Sequence, residues 1–235
     1  MNPAHKSSLV RRAALMFALL PLVLAAWAIG ADRYGWDVVD SARYSAICLM
    51  FVLAGFILSP LFMSRPADER QRGFIFYWFS VSTLFNLTWQ IPLILFRNVI
   101  TQAEITHANL YKFIAWWGYG FADTHYGKVS LWMISEELWW FLAIVVAVVG
   151  LWKIRAGRAT TGFLLLGIAG LLQAYNASLY MVYDAVTGFQ NIPKPDWTSW
   201  LLYWGFNPLW AICSLMAGIF SLRIVHRQAL AGDIR

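Results

Sequence analysis

Six predominantly apolar stretches, each about 20 residues long, dominate this chain of 235 residues, and about 20 apolar residues is what an α-helix needs to cross a bilayer. They run from Ala13 to about Ala31, from about Tyr44 to Met63, from Phe74 to Phe96, from Val129 to Trp152, from Thr161 to about Tyr183, and from about Ser199 to Leu222. In hydrocarbon, backbone polar groups find partners only inside the protein, which leaves helices or closed barrels. The expected fold class is therefore all-α: a polytopic transmembrane helix bundle with six spans. Charged residues make up 13% of the chain, against about 25% in soluble domains, which excludes a disordered chain, a nucleic-acid module and most soluble enzymes. The first stretch also reads as a cleaved signal peptide, with basic residues before it, an apolar run through Leu24 and small residues from Ala28 to Ala31. Cleavage leaves five spans with the remaining topology unchanged. No internal repeat and no Pro/Gly-rich linker divides the chain.

Net charge is +6, yet all eighteen basic residues fall in loops or at span ends. Twelve lie on one side: Lys6, Arg11 and Arg12; Arg65, Arg70 and Arg72; Lys153, Arg155 and Arg158; and Arg223, Arg227 and Arg235. The other side holds six, Arg33, Arg43, Arg97, Lys112, Lys128 and Lys194, together with seven of the twelve acids. This alternation follows the positive-inside rule with both termini cytoplasmic, in a bacterial inner membrane or the endoplasmic reticulum. Basic charge here is a topology signal, and no nucleic-acid partner is expected. Tyr77, Trp78, Trp132, Trp152, Tyr183, Trp197 and Trp200 read as interfacial anchors. The long outer loop from Asn98 to Lys128 is expected to rest its Phe113–Trp117 run in the interface.

Cys48 and Cys213 lack metal-ligand spacing, and His5, His107, His125 and His226 share no spacing with carboxylates. No metal and no cofactor is expected, and no phosphate loop or nucleophile triad is present in the sequence.

Glu136 and Glu137 are the acids set within a span, where an ionisable side chain costs about 2.5–3.5 kcal/mol on insertion scales and marks a functional position. Neighbours on a helix point about 100° apart, so one of the two is expected to face the bundle and the other the interface or a second partner. Ser82, Asn86 and Gln90 recur every fourth residue on one face of the third span. Gln173, Asn176, Tyr180 and Asp184 form a face on the fifth, and Trp200, Tyr203, Asn207, Trp210 and Ser214 one on the sixth. At about 1.5 Å per residue, Glu137, Gln90, Asn176 and Asn207 all lie about 9–14 Å below the outer boundary. Polar groups at one level on four helices predict a cavity in the outer half of the membrane. Amides also glue helices together, contributing about 0.6 kcal/mol each, and that reading stands beside the site for any single amide.

Residues from about 72 to 222 resemble the EXPERA domain shared by emopamil-binding protein, the sterol Δ8–Δ7 isomerase, and the sigma-two receptor. The resemblance rests on Asp123-Thr-His-Tyr126 followed by Glu137, on Gln173-Ala-Tyr175 with Leu179-Tyr180 and Gly188-Phe189, and on Asn207-Pro-Leu-Trp210. Trp89-Gln90-Ile91-Pro92 is similar to a piece of the sigma-two branch. The organisation implied is two N-terminal helices over 1–70, an EXPERA-like four-span domain over 71–223 and a cytoplasmic tail over 224–235.

The resemblance implies a sterol-like or isoprenoid lipid as ligand and proton-transfer double-bond isomerisation as the chemistry, making the protein a candidate isomerase acting on C=C. Glu137 matches the family's acid/base carboxylate, Asn207 its orienting amide and Trp210 the ring that stabilises a cation; a buried carboxylate can serve as general acid or base, and an indole face attracts positive charge. The substrate is expected to touch Asn86, Trp89, Gln90, Glu136, Trp140, Gln173, Asn176, Tyr180 and Tyr203. Asn86 and Gln90 stand where the family has His and Glu, and neither amide titrates. A non-enzymatic lipid receptor or transporter of the sigma-two type is therefore the second reading. A small membrane terpene cyclase is the third, because Asn86-Leu-Thr-Trp89-Gln90 is similar to an Asn-x-x-Trp-Glu piece of fungal cyclases. Expected partners are the hydrophobic ligand and the bilayer, with a homodimer as the assembly to test.

Overall fold

A computed structural model describes residues 3–128, 130–193 and 196–232, without the side chains of 3–13, 16 and 17. The side chains of His5, Lys6, Arg11, Arg12 and Ala13, and all of Val129, Lys194 and Arg235, thus lie outside the described residues. Helices and turns make up the described residues, with no strand among them. In chain order these are α1 (Pro3–Tyr34), α2 (Val38–Leu58) with a 3₁₀ turn at Ser59–Phe62, α3 (Ala67–Phe85), a π-helical turn at Asn86–Gln90, α4 (Ile91–Leu95) and α5 (Arg97–Gln102). There follow α6 (His107–Gly120), α7 (Thr124–Lys128), α8 (Leu131–Arg155), α9 (Ala159–Val186) and α10 (Trp197–Leu230).

Among the described residues, four helices are long and apolar enough to cross a membrane: Val38–Phe62, Leu131–Arg155, Ala159–Val186 and Trp197–Leu230. They fit a multi-pass membrane protein. The stretch read as a third span, Phe74–Phe96, is divided between α3, the π turn and α4. Pro92 lacks an N–H, so the α-helical ladder cannot continue unbroken through it, and a π turn is a common adjustment to such a disturbance. The loop from Asn98 to Lys128 is also largely helical, as α5, α6 and α7. In α6, Leu110, Ile114 and Trp117 are buried, so this stripe of the Phe113–Trp117 region faces protein, while Phe113 and Trp116 stay partly exposed.

Helix starts follow from capping chemistry. Asp37 Oδ1 accepts from Asp40 N at 2.9 Å before α2, Thr106 Oγ1 from Asn109 N at 3.3 Å before α6, and Ser130 Oγ from Met133 N at 3.2 Å before α8. Each satisfies an N–H that the first turn leaves without a partner. Past the end of α8, Gly157 takes φ +82°; Arg158 N then bonds Lys153 O at 2.9 Å and Gly157 N bonds Ile154 O at 3.2 Å. This paired closure needs a left-handed residue, which glycine supplies without a Cβ penalty.

The chain forms two compact units. The first comprises Met1–Phe56, Ile91–Met133 and Phe189–Phe206. In it α6 crosses α2 at Gly118, where an added Cβ would lie 2.5 Å from Ala42 O. The loop before α7 is tied to the segment after α9: Asn191 Nδ2 donates to Asp123 Oδ1 at 3.0 Å, and Thr124 N to Asn191 O at 2.9 Å. Asp196 anchors the start of α10. Its carboxylate accepts from Thr198 N at 3.0 Å, Thr198 Oγ1 at 2.6 Å and Ser199 Oγ at 2.6 Å, and pairs with Arg43 at 3.0 Å.

Burial pushes the Asp196 carboxyl up, but the hydrogen bonds from Ser199 and Thr198 and the Arg43 guanidinium outweigh it, and the net shift is downward. A carboxylate depressed on folding stabilises the fold above its unfolded pKa and loses that contribution as pH falls through its folded value. The window therefore opens below about pH 4, the ordinary value for Asp. Thermal unfolding of the detergent-solubilised protein should show a larger fall in midpoint below pH 4 for wild type than for Asp196→Asn. Parallel pH profiles for the two proteins would remove Asp196 from the account.

The second unit comprises Ile57–Gln90, Ile134–Gly188 and Asn207–Arg235. Its helices approach closely at glycines. A Cβ on Gly162 would meet Gly150 O at 2.6 Å, and one on Gly170 would meet Gly218 N at 2.6 Å and Ser214 O at 2.8 Å. Small residues at such crossings let backbones touch, which is how helices pack where the solvent is lipid. Phe74 packs edge-on against Phe220, and Phe76 against Phe163, at ring-centroid distances of 5.8 and 6.4 Å. At one end of this unit Arg65 pairs with Glu69 at 3.5 Å, and Arg227 pairs with Asp68.

Candidate functional site

The second unit carries every expected catalytic and substrate-contact residue except Tyr203. On α8 a stripe of Glu136, Glu137, Trp140, Ala143, Ile144 and Ala147 is buried. Leu138, Trp139, Leu142, Val145 and Val149 form the exposed side of the same helix. Both glutamates thus turn inward, with Glu136 5% and Glu137 3% exposed. The expectation that only one would do so is corrected. A helix packed on its neighbours buries an arc of about 100° or more, wide enough for two consecutive residues.

On α3 and the π turn, Trp78, Ser82, Asn86 and Gln90 are all buried. Asn86 Nδ2 donates to Gln90 Oε1 at 2.9 Å, so these two amides engage each other. Trp78 Nε1 donates to Gln173 Oε1 on α9 at 2.9 Å, and Ser214 Oγ on α10 lies 3.5 Å from the same oxygen. Asn176 Nδ2 donates to the main-chain carbonyl of Glu136 at 3.1 Å, fixing α9 to α8 at the acidic pair. Tyr180 and Asp184 continue the buried face of α9.

Trp210 on α10 is the centre of an aromatic cluster. Trp78 meets it edge-on at 5.0 Å, Phe85 edge-on at 5.4 Å, and Trp140 stacks nearly parallel at 6.4 Å; Trp89 in turn stacks on Phe85 at 5.0 Å. Asn207 is half-buried three residues before Trp210, hence beside it on one face of α10. Tyr203 is fully buried but belongs to the first unit, where its ring meets Phe189 at 5.8 Å and Trp204 at 5.4 Å.

Two members of the cluster, Trp78 and Phe85, were not among the site residues expected from the sequence. Tyr77 and Trp78, whose place near a span end predicts interfacial anchors, are 3% and 0% exposed. The available signal was the four-residue spacing: Trp78 begins the row that continues through Ser82, Asn86 and Gln90. Trp152 and Trp197 are exposed.

Several buried polar atoms of this unit have no hydrogen-bond partner among the described residues: Ser82 Oγ, Asn86 Oδ1, Glu136 Oε2, Trp140 Nε1 and Gln173 Nε2. Buried groups of this kind are normally satisfied, and leaving one unsatisfied costs about 1–3 kcal/mol. Donors and acceptors are both represented, on α3, the π turn, α8 and α9. No group of three or more His, Cys, Asp or Glu side chains able to hold a metal occurs among the described residues. No family model, curated protein or solved structure matches this chain.

Proposed function

We propose that the chain is a six-span, EXPERA-like membrane protein with both termini cytoplasmic, and that its second unit binds a sterol-like or isoprenoid lipid within the bilayer. The chemistry proposed is proton-transfer isomerisation of a double bond. The supporting observation is the pair of buried carboxyl groups on α8, a helix apolar enough to span a membrane. Burying two acids there is costly, and acids kept at membrane depth are functional candidates by default. Glu137 is the general acid/base, Asn207 and Asn86 orient it or the substrate, and Trp210 stabilises developing positive charge with its indole face. Trp89, Gln90, Trp140, Gln173, Asn176 and Tyr180 contact the lipid.

Membranes carrying Glu137→Gln or Trp210→Ala, supplied with a sterol or isoprenoid alkene, provide the test. Both are expected to lose conversion, Trp210→Ala by about tenfold or more if its cation–π contribution approaches about 2 kcal/mol. Unchanged conversion in both ends the catalytic role.

The hydrogen bond between Asn86 and Gln90 favours a second reading, a lipid receptor or transporter without chemistry, since two amides bonded to each other move no protons. That reading requires lipid binding that depends on Glu137 with no change to the ligand. Solvent deuterium appearing in a bound lipid decides against it.

A further inference from the structure

The helix ends at one end of the second unit handle their charges in two ways. Where α3 begins and α10 ends, each acid has a cation: Glu69 pairs with Arg65 at 3.5 Å, and Asp68 pairs with Arg227. The turn from α8 to α9 instead carries Lys153, Arg155 and Arg158, and no acid occurs between Glu137 and Asp184. The closure at Gly157 keeps these three cations within one tight turn, with Arg158 N bonded to Lys153 O at 2.9 Å. Arg155 and Arg158 are exposed and have no acidic partner among the described residues. Arg72 adds a fourth cation, its Cζ lying 5.1 Å from the ring centroid of Phe163, one turn into α9. The first turn of α9 holds no acid, so its helix dipole adds potential of the same sign, whereas Asp68 and Glu69 occupy the first turn of α3. The positive-inside rule accounts for a basic loop, but not for cations crowded together without acids while the neighbouring helix ends pair theirs. Like charges at such range repel, and a bound anion relieves the repulsion.

We propose that the α8–α9 turn binds the phosphate of an anionic phospholipid. Both helices are long and apolar enough to span a membrane, so their connection lies at the level of the lipid headgroups. Trp152 is exposed there with Lys153 Nζ 4.7 Å from its ring centroid, and exposed indoles are enriched at that level. The planar fork of arginine matches pairs of phosphate oxygens, and clusters of about four to eight Lys and Arg beside a span recognise anionic lipids. A lipid rather than a soluble phosphate is the occupant, because Val145, Val148 and Val149 expose an apolar surface on α8 leading up to the turn, along which acyl chains lie. The inference stands apart from the isomerase reading.

Native mass spectrometry of the full chain in detergent, titrated with phosphatidylglycerol or phosphatidylcholine of identical acyl chains, provides the test. Wild type should bind phosphatidylglycerol more tightly. Each Lys or Arg near an anionic lipid surface contributes about fivefold in affinity, so Lys153→Gln/Arg155→Gln/Arg158→Gln should weaken phosphatidylglycerol binding by about 10²-fold and erase the preference. Arg158→Gln alone should weaken it by about fivefold, which keeps the test decisive if the triple variant does not fold. A charge-matched control, Arg33→Gln/Arg97→Gln/Lys112→Gln, alters exposed residues of the first unit and should bind as wild type does. Equal wild-type affinity for the two lipids overturns the proposal. So does wild-type affinity in the Lys153/Arg155/Arg158 variants, or equal weakening in the control. Inorganic phosphate that displaces phosphatidylglycerol at equal concentration overturns the choice of a lipid as occupant.

Discussion

Glu137→Gln should lower conversion of a bound alkene by about 10²–10⁴-fold while leaving the protein folded and able to retain lipid. Glutamine has nearly the same shape and keeps hydrogen-bonding capacity, but it holds no exchangeable acidic proton to give. The side chain is 3% exposed, so bulk buffer has little access to replace it. Conversion measured per mole of folded protein, alongside co-purified lipid quantified by mass spectrometry, separates the two effects. Loss of conversion with retained lipid is the expected pattern; loss of both together would point to a structural role for Glu137.

The second large effect is on folding. Gly170→Leu should prevent stable packing of α9 against α10. A Cβ at this position lies 2.6 Å from Gly218 N, 2.7 Å from Gly218 Cα and 2.8 Å from Ser214 O, all main-chain atoms that cannot swing aside as a side chain can. Overpacking in a close-packed interior costs about 1–3 kcal/mol and more when backbone must move. Gln173, three residues on and on the same face of α9, bonds Trp78 and approaches Ser214, so separating these helices also strains the polar network. Monodisperse yield in detergent should collapse for Gly170→Leu. Gly55→Ala, whose Cβ meets nothing within 4 Å, should match wild type. Equal yields for the two would show that this crossing does not control packing.

The helical class and the long apolar elements could be read from the chain because hydropathy over 20 residues is a strong signal in lipid. The buried face of α9 was equally legible, since Gln173, Asn176, Tyr180 and Asp184 are polar residues at helical spacing in an apolar run. Finer placement was harder for identifiable reasons. A tryptophan near a span end has the same composition whether it anchors at the interface or packs inside, and Trp78 does the latter. The 100° step between Glu136 and Glu137 does not by itself separate faces, because the covered arc of α8 accommodates both. The four-residue row of Ser82, Asn86 and Gln90 survives the π turn, since all three are buried and Asn86 bonds Gln90. The stripe of Leu110, Ile114 and Trp117 has helical spacing, but it is shorter than a membrane span, so hydropathy over 20 residues does not single α6 out.

Photocrosslinking with a diazirine-bearing isoprenoid or sterol is the most direct measurement of the central claim, that the second unit admits a lipid among its buried carboxyl, amide and indole groups. The exposed residues Leu138, Trp139 and Leu142 will label as any bilayer-facing surface does, and excess unlabelled ligand will not protect them. The account predicts additional, competable labelling of Trp140 and Trp210 on the covered faces of α8 and α10. Labelling confined to the bilayer-facing residues, with none on Trp140 or Trp210, would contradict it.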